Sequence, residues 1–349
     1  MSNKPDTRQQ AIDALIAVEQ YGTITKASKA LGIPRTTLSN RIQVAEREQI
    51  TLETKQDTYV LDDLPEDDIP VDEIINTLTN RFKKRKTYVE SKEWRAIKMK
   101  SNAPIGLLWL GDPHVDDNYC DWETLRRHVD IIQKNKNIYG CGLGDYQNNW
   151  VGRLGRLYGE QDTSHETAWK LVEWLINSIN PLILIGGNHD MWSGSGDPLK
   201  WMTKPHTVRE DWEAKIEVKF PNGKSCFIHA AHDMKGHSQW NPLHAQQKMA
   251  MFKNNAHLYI AGHRHNWALA NIELVEQKMT TWLARARGYK YWDTYALVKG
   301  FDNQNFGQAI LQVINPQALQ PTGFCQCFVD VETGAEYLNF LEQKFQAGE

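Results

Sequence analysis

Nowhere among the 349 residues does an apolar run approach the roughly 18 residues that a membrane-spanning helix requires. The first residues are polar and lack the basic-then-apolar pattern of a secretory leader. A soluble, cytoplasmic protein with no membrane partner is the expectation. Cysteine is scarce: Cys120, Cys141, Cys226, Cys325 and Cys327 form an odd, scattered set of five. That excludes a disulfide framework and suits reduced core thiols. Cys325 and Cys327 alternate with Gln326 on a strand pattern and are not expected to hold a metal. Net charge is nearly absent, with 43 acidic and 40 basic residues leaving −3. There is thus no global pull toward nucleic acid, and basic surface must be sought locally. A fixed-period repeat and low-complexity tracts are also missing, which excludes a solenoid or a disordered array.

What is present is length enough for two domains, since single cores stop growing at roughly 250–300 residues. From Thr7 to Gln20, the residues Ala11, Ala14, Leu15 and Val18 share one helical face, and Tyr21-Gly22 ends the helix. A second helix is predicted from about Thr25 to Leu31, stopping at Gly32, and a third from Pro34, a residue tolerated in a first helical turn. The segment GTITKASKALGIPRTTLSNRI resembles the DNA-reading helix-turn-helix of bacterial LysR-type regulators. Ala27, Leu31, Ile33, Leu38 and Ile42 fit the positions that pack its helices, and Gly32 fits the turn. Residues 23–42 carry Lys26, Lys29, Arg35 and Arg41 and no acidic residue. Arg35, Thr36, Thr37, Ser39, Asn40 and Arg41 are therefore the candidate DNA-binding residues, and DNA the expected partner. A small helical module for protein contacts or dimerisation is the alternative.

Residues 53–73 hold nine acidic residues against one lysine, broken by Pro65 and Pro70, and read as a linker. A helical pattern then leads into RFKKRK, and residues 81–100 hold nine basic side chains against Glu90 and Glu93. Such a run follows a phosphate backbone or is simply a solvated face. The expected organisation is a helix-turn-helix domain over 1–50, an acidic then basic connector over 51–100, and a catalytic domain over 101–349.

From Ile105 onward, strands and helices alternate, giving an α/β class. Trp122, Leu125, Val129 and Ile132 form one helical stripe, and Ala168, Leu171, Val172, Leu175, Ile176 and Ile179 another. After residue 268 the helical signal fades. Segments 294–299, 309–314 and 323–331 are predicted as strands, with Glu332-Thr333-Gly334 as a turn. Five apolar runs stop at side chains that bind metals or move protons: IGLLWLGDPH, IYGCGLGD, LILIGGNHD, SCFIHAAHD and HLYIAGHRH. Each reads as a buried strand that delivers chemistry to a loop.

The ordered series Asp112-Pro-His114, Gly144-Asp145, Gly187-Asn188-His189-Asp190, a later histidine and Gly262-His263-Arg264-His265 resembles the calcineurin-like metallophosphoesterase superfamily over residues 105–266. With SKEWRAIKMK upstream and GYKYWDTYALVKGF downstream, the chain resembles most a phage or prophage-encoded branch, which would place it in the host cytoplasm. The resemblance implies a β-sandwich flanked by helices (α/β/β/α) and two divalent metal ions, manganese first, with iron, zinc or nickel as alternatives. It implies Asp145 as the bridge, Asp112, His114 and His265 around one metal, and Asn188, a middle histidine and His263 around the other. FIHAAHDMKGH offers His229, His232 and His237 for the middle place; His232 is chosen over His229, and His237 is set aside. His189 is the implied proton donor to the leaving oxygen, and Asp190 either orients it or caps the loop.

Many members continue the second motif as GDxxDRG, with a phosphate-contacting arginine, whereas this chain reads GDYQNNWVGR. Arg153, Arg156 and Arg264 are candidate substitutes, and Trp150, Trp192 and Trp240 flank the motifs where bases could stack. The loop SGSGDP lacks the lysine-bearing phosphate-loop pattern and reads as a rim. The expected function is a metal-dependent phosphodiesterase or nuclease guided to DNA. The alternatives are a nucleotide or protein phosphatase, and a DNA-binding regulatory or phage structural factor that uses the fold as scaffold.

Overall fold

Small residues set the packing of the first helices. Ala11, Ala14 and Ala17 line one face of α1 (Thr7–Tyr21), which lets α2 (Ile24–Leu31) and α3 (Arg35–Arg47) approach it closely. The computed structural model describes residues 6–52, 60, 68–91, 93–192, 197–236, 238–253, 255–292 and 305–348. Asp6 and Thr23 cap α1 and α2 by accepting from the N–H of Arg8 and Lys26, and Gly22 and Gly32 close them in the left-handed conformation. Pro34 immediately precedes α3 rather than lying inside it. The core is Ala14, Ala17, Ala27 and Leu38, with Val18, Ile24, Ile33 and Ile42 packed on it. Leu31, expected to pack here, is exposed, because as the last residue of α2 it falls beyond the edge of so small a core. Ser28 is buried instead and donates to the Ile33 carbonyl at 2.8 Å.

The chain divides into two units, Met1–Leu78 and Thr79–Glu349, and α4 (Val71–Ser91) runs across the division with every residue exposed. The acidic linker expected over 53–73 lies largely outside the described residues. Within the expected connector over 51–100, Arg95–Lys98 form strand β1, which pairs in parallel with β6 (Glu213–Lys219). A charged, exposed segment suits that edge position.

The second unit is α/β, built on two mixed six-stranded sheets. One has the order β12-β11-β2-β3-β4-β5 and the other β1-β6-β7-β8-β10-β9. In the first, β2 (Ile105–Leu110), β3 (Ile138–Gly142), β4 (Ile183–Gly186) and β5 (Val208–Asp211) are parallel, while β11 (Ala309–Ile314) and β12 (Cys325–Phe328) add antiparallel strands beside β2. In the second, β7 (Ser225–Ala231), β8 (Leu258–Ala261) and β10 (Met279–Arg285) are parallel, flanked by antiparallel β6 and β9 (Ala268–Leu274).

All six residues of β2 are buried, because both faces of its sheet are covered. Ile105, Leu107 and Trp109 pack with Ile216, Ile228 and Ile260 of the other sheet. Leu108 and Leu110 pack on Leu125, Val129 and Ile132 of α5 (Trp122–Lys134) and on Val172, Leu175 and Ile176 of α6 (His165–Ile179), so both predicted helical stripes face this layer. The second sheet's outer face holds Tyr259 and Leu283 against Ala245 and Ala250 of helix His244–Phe252. All five cysteines are free thiols. Among the described residues no helix is long and apolar enough to cross a membrane.

Two expectations fail at the C-terminal end. The strand over 323–331 is only Cys325–Phe328, and Glu332-Thr333-Gly334 is no turn but the start of a 17-residue helix, Val331–Ala347. Asp330 caps that helix through Thr333 N at 2.7 Å. Gly334 sits inside it because a Cβ there would lie 2.9 Å from Leu311 and Phe328 side chains, so the glycine serves close helix–sheet packing. The predicted strand over 294–299 lies outside the described residues.

His128 on α5 is buried, with Nδ1 2.7 Å from the Tyr289 hydroxyl, and burial lowers its pKa from 6.5 to about 4. A histidine lowered on folding contributes stability that is complete above its unfolded pKa and is lost as pH falls toward its folded pKa. Between pH 7 and pH 5 this single group should remove about 2 kcal/mol. Denaturant unfolding of His128→Asn at the two pH values should show a correspondingly smaller loss than wild type; parallel losses would refute this.

Candidate metal centre

The parallel strands carry the candidate residues at their C-terminal ends: Asp112 and His114 after β2, Asp145 after β3, Asn188 after β4, His232 after β7, and His263 and His265 after β8. The backbone there is unusual. His114, Asp145, His263 and His265 have φ of 40°, 53°, 67° and 50°, a left-handed region that costs non-glycine residues energy and recurs at functional sites. Glycine appears where the ligand loops crowd each other. A Cβ on Gly262 would lie 2.5 Å from an Asp112 carboxylate oxygen, and one on Gly144, itself at φ 100°, would meet Gly187 N at 2.5 Å and His232 Nδ1 at 2.8 Å. The glycines of the GD and GH motifs therefore make room for the candidate ligands Asp112 and His232 of neighbouring strands.

The side chains converge into groups whose ligand atoms lie within 4.8 Å of one another: Asp112, His114 and His265; His114, Asp145 and His189; and Asp145, His232 and His263. Asp145 is shared by the last two. His265 Nε2 is 3.5 Å from Asp112 Oδ2. His232 Nε2 lies 3.2 Å from Asp145 Oδ2, 3.0 Å from His263 Nδ1 and 2.9 Å from Asn188 Oδ1. His232 Nδ1 is 2.8 Å from the Leu143 carbonyl, a partner that fixes the ring and leaves Nε2 to the centre. Of the two candidates for the middle position, His232 is the one brought to the other ligands. His229 points to Glu213 at 3.3 Å and packs on Tyr259. His237 lies outside the described residues.

Both carboxylate oxygens of Asp112 and both ring nitrogens of His114 are buried with no hydrogen-bond partner among the described residues. Leaving such groups unsatisfied costs about 1–3 kcal/mol each, and more for a charge. A cation held by carboxylate, imidazole and amide donors satisfies them, and that mixed donor set suits manganese, iron, nickel or zinc better than magnesium. The residues present therefore fit a metal. Burial raises the Asp112 carboxyl well above the usual range, opposed by nearby His232. Burial also pushes Asp145 up, but His232, His189 and His114 outweigh it and hold it below the usual carboxylate range. Burial, then the charges of Lys290 and His189, lowers His114. His263 falls to about 4 through burial and the His232 charge, whereas His232, despite burial, is raised to about 10 by Asp145 and Asp112.

Among the described residues, the Asp190 carboxylate makes no hydrogen bond to His189. It accepts from the backbone N–H of Asp145 at 2.7 Å, Gly187 at 2.8 Å and Tyr146 at 3.2 Å, which clamps the Asp145 loop to the β4 loop. Of the two roles expected for it, the loop cap is the one its hydrogen bonds serve. Burial and the Asp145 charge raise it to about 7. His189 is instead held through Nδ1 by the backbone carbonyl of Asn148, with Nε2 3.8 Å from Asp145 Oδ2. Behind that carbonyl, Asn148 N donates to Asp116 at 2.7 Å, its amide donates to Asp117 at 2.8 Å, and buried Lys290 pairs with Asp117 at 2.8 Å.

Asn148, Asp116, Asp117 and Lys290 escaped sequence reasoning. The available signal was Gln147-Asn148-Asn149, three amides in a row that are all buried. Of the arginine candidates, Arg264 pairs with Asp233 at 2.7 Å, Arg156 is exposed, and the Arg153 side chain lies outside the described set. Trp192 and Trp150 lie 4.6 and 5.2 Å from the His189 ring, while Trp240 is exposed on a loop. Residues 193–196 of the SGSGDP loop lie outside the described set; Asp197 caps the short helix Pro198–Met202. In the N-terminal unit, Arg35, Thr36 and Asn40 are exposed, and Thr37, Ser39 and Arg41 are half-buried around buried Leu38.

The His232 geometry separates two variants. His232→Ala should reduce manganese retained after dialysis by more than the about 10–100-fold that losing a supporting partner costs, whereas His229→Ala should retain it. Equal loss in both, read by elemental analysis, would remove His232 from the centre. No family model matches the chain and no curated protein matches it, so the chemistry assigned to the centre rests on this geometry.

Proposed function

We propose that the chain is a metal-dependent phosphoric ester hydrolase of the calcineurin-like metallophosphoesterase type, a phosphodiesterase that acts on nucleic acid. The observation that carries this is the convergence of five strand ends, that of Asp145 among them, into groups that could hold metal, with Asp112 and His114 left unsatisfied. The two mixed six-stranded sheets of an α/β unit support it, since the resemblance implies an α/β/β/α sandwich. Asp112, His114, Asp145 and His265 would hold one cation, and Asp145, Asn188, His232 and His263 the other. Two divalent cations there supply Lewis-acid polarisation of a phosphoryl group and lower the pKa of an attacking water.

The chain's own contribution is positioning and proton transfer. Asp145 and the Asp190 clamp fix the spacing of the two ligand groups. The Asn148 carbonyl accepts from Nδ1 of His189, so Nε2 is the atom that faces the centre and, when protonated, donates to the leaving oxygen. Trp150 and Trp192 flank that ring and shield it from water. We assign nucleic acid as substrate because α1–α3 present Arg35, Thr36 and Asn40 on an exposed helix as a helix-turn-helix module does.

With manganese, the protein should cleave an aryl phosphodiester faster than the aryl monoester. Asp145→Ala should lose bound metal and activity together, while His189→Ala should keep its metal and lose about 10²–10⁴-fold in rate. Wild-type inactivity on both esters, or undiminished rates in both variants, would overturn the hydrolase reading. For the DNA reading, Arg35→Glu with Arg41→Glu should weaken DNA retention and lower its salt slope by about one for each arginine–phosphate pair removed. Retention with an unchanged slope would separate the module from DNA.

A further inference from the structure

Helix α4 carries an apolar seam that nothing among the described residues covers. Val71, Ile75, Leu78, Phe82 and Val89 follow one another at steps of four, three, four and seven, with Arg85 in the last gap. Each is more than half exposed, from 53% at Ile75 to 70% at Val71. Alternating steps of four and three are the 3.5-residue period of a coiled-coil seam, with Ile75, Phe82 and Val89 at a and Val71, Leu78 and Arg85 at d. The 21-residue helix spans three such heptads. Helices in proteins draw most of their stability from packing an apolar face, and this face is in water. We propose that α4 is a dimerisation helix whose seam pairs with the same seam of a second copy of this chain, antiparallel, as a two-stranded coiled coil.

Charge selects both the occupant and the direction. The first turn carries Asp72 and Glu73, whereas Arg81, Lys83, Lys84, Arg85 and Lys86 crowd the second half. An antiparallel pair lays the acidic end of each helix beside the basic half of the other. Its layers are Val71 with Val89, Leu78 with Phe82, and Ile75 with Arg85, whose aliphatic stem covers the isoleucine while its head reaches solvent. The flanking e positions then set Asp72 against Lys86 of the second copy, twice by symmetry. The g positions set Ile74 against Tyr88 twice and Arg81 against Arg81 once, on the exposed flank. A parallel pair has no such attraction and sets Arg81 against Lys86 twice, so antiparallel wins. Within one helix Lys86 meets only Glu90, at 3.9 Å with both side chains more than 60% exposed, a pair too weak to compete. A membrane surface is the other occupant a basic amphipathic helix suggests. The acidic first turn, Asp72 and Glu73, fits it poorly.

The test is the mass of the full chain by sedimentation equilibrium, with far-UV circular dichroism to verify folding. Wild type should form a reversible dimer, and Leu78→Glu with Phe82→Glu should weaken it by about 100-fold or more, while Asn80→Asp on the outer face should leave it unchanged. Asp72→Lys should weaken the dimer about tenfold, and adding Lys86→Asp should restore it, since the swap remakes the pair between copies. In one helix or a parallel pair these residues are about 21 Å apart and the swap restores nothing. A wild type that stays monomeric up to about 100 µM, a dimer indifferent to the seam variant, or charge variants that fail to compensate would each overturn the proposal. So would a monomer that binds anionic vesicles through α4. Because the readout is mass, a failure here is independent of whether the hydrolase reading stands.

Discussion

The carboxylate of Asp145 is buried, and burial alone would drive it toward the neutral form; His232 at 3.2 Å, with His189 and His114 around it, keeps it ionised. The surrounding structure depends on that arrangement. The Asp145 backbone sits at φ 53°, and the Asp190 carboxylate holds it there through the N–H of Asp145 and ties the same loop to Gly187. Gly144 and Gly187 are glycines because His232 and Asp145 occupy the space that a side chain would fill. Left-handed residues cost of order 1–3 kcal/mol each, and four candidate ligands adopt that backbone. Only a rigid scaffold retains such a set. The two sheets supply it, since the strands that end at the centre are buried on both faces and cannot shift without opening a core.

That double burial also explains which parts of the site are legible in the sequence. β2, β3, β4, β7 and β8 are readable because a strand covered on both faces is a continuous apolar run, and the candidate ligands because each follows the run at once. His229 and His232 are indistinguishable in pattern. The choice depends on where β7 stops, and pairing of Ala231 with Glu213 ends the strand just before His232. Asn148 is illegible for a deeper reason: it acts on His189 through a backbone carbonyl, which any residue possesses. β1 is hidden in a basic run because an exposed edge strand carries charge like a solvated helix. The last helix is hidden by Gly334, a residue that reads as a turn and in fact allows close packing on Leu311 and Phe328.

Protonation follows the same geometry. His114 and His263 are held neutral, chiefly by burial, with Lys290 adding to the effect at His114 and the His232 charge at His263. Neutral imidazole is the form that binds a cation. His232 alone is pushed the other way, to about 10, because Asp145 and Asp112 both face it. The His232 ring lies between these two side chains, with Nε2 3.2 Å from Asp145 Oδ2 and Nδ1 3.8 Å from Asp112 Oδ1. A divalent cation held here would favour the ionised form of Asp112, which burial otherwise disfavours. Lys290 belongs to the same logic. Its charge is paired with Asp117 and stacked over Trp150, close enough to lower His114 yet tied to the Asn148 loop that positions His189. Lys290 therefore links the protonation of the candidate ligand His114 to the placement of His189.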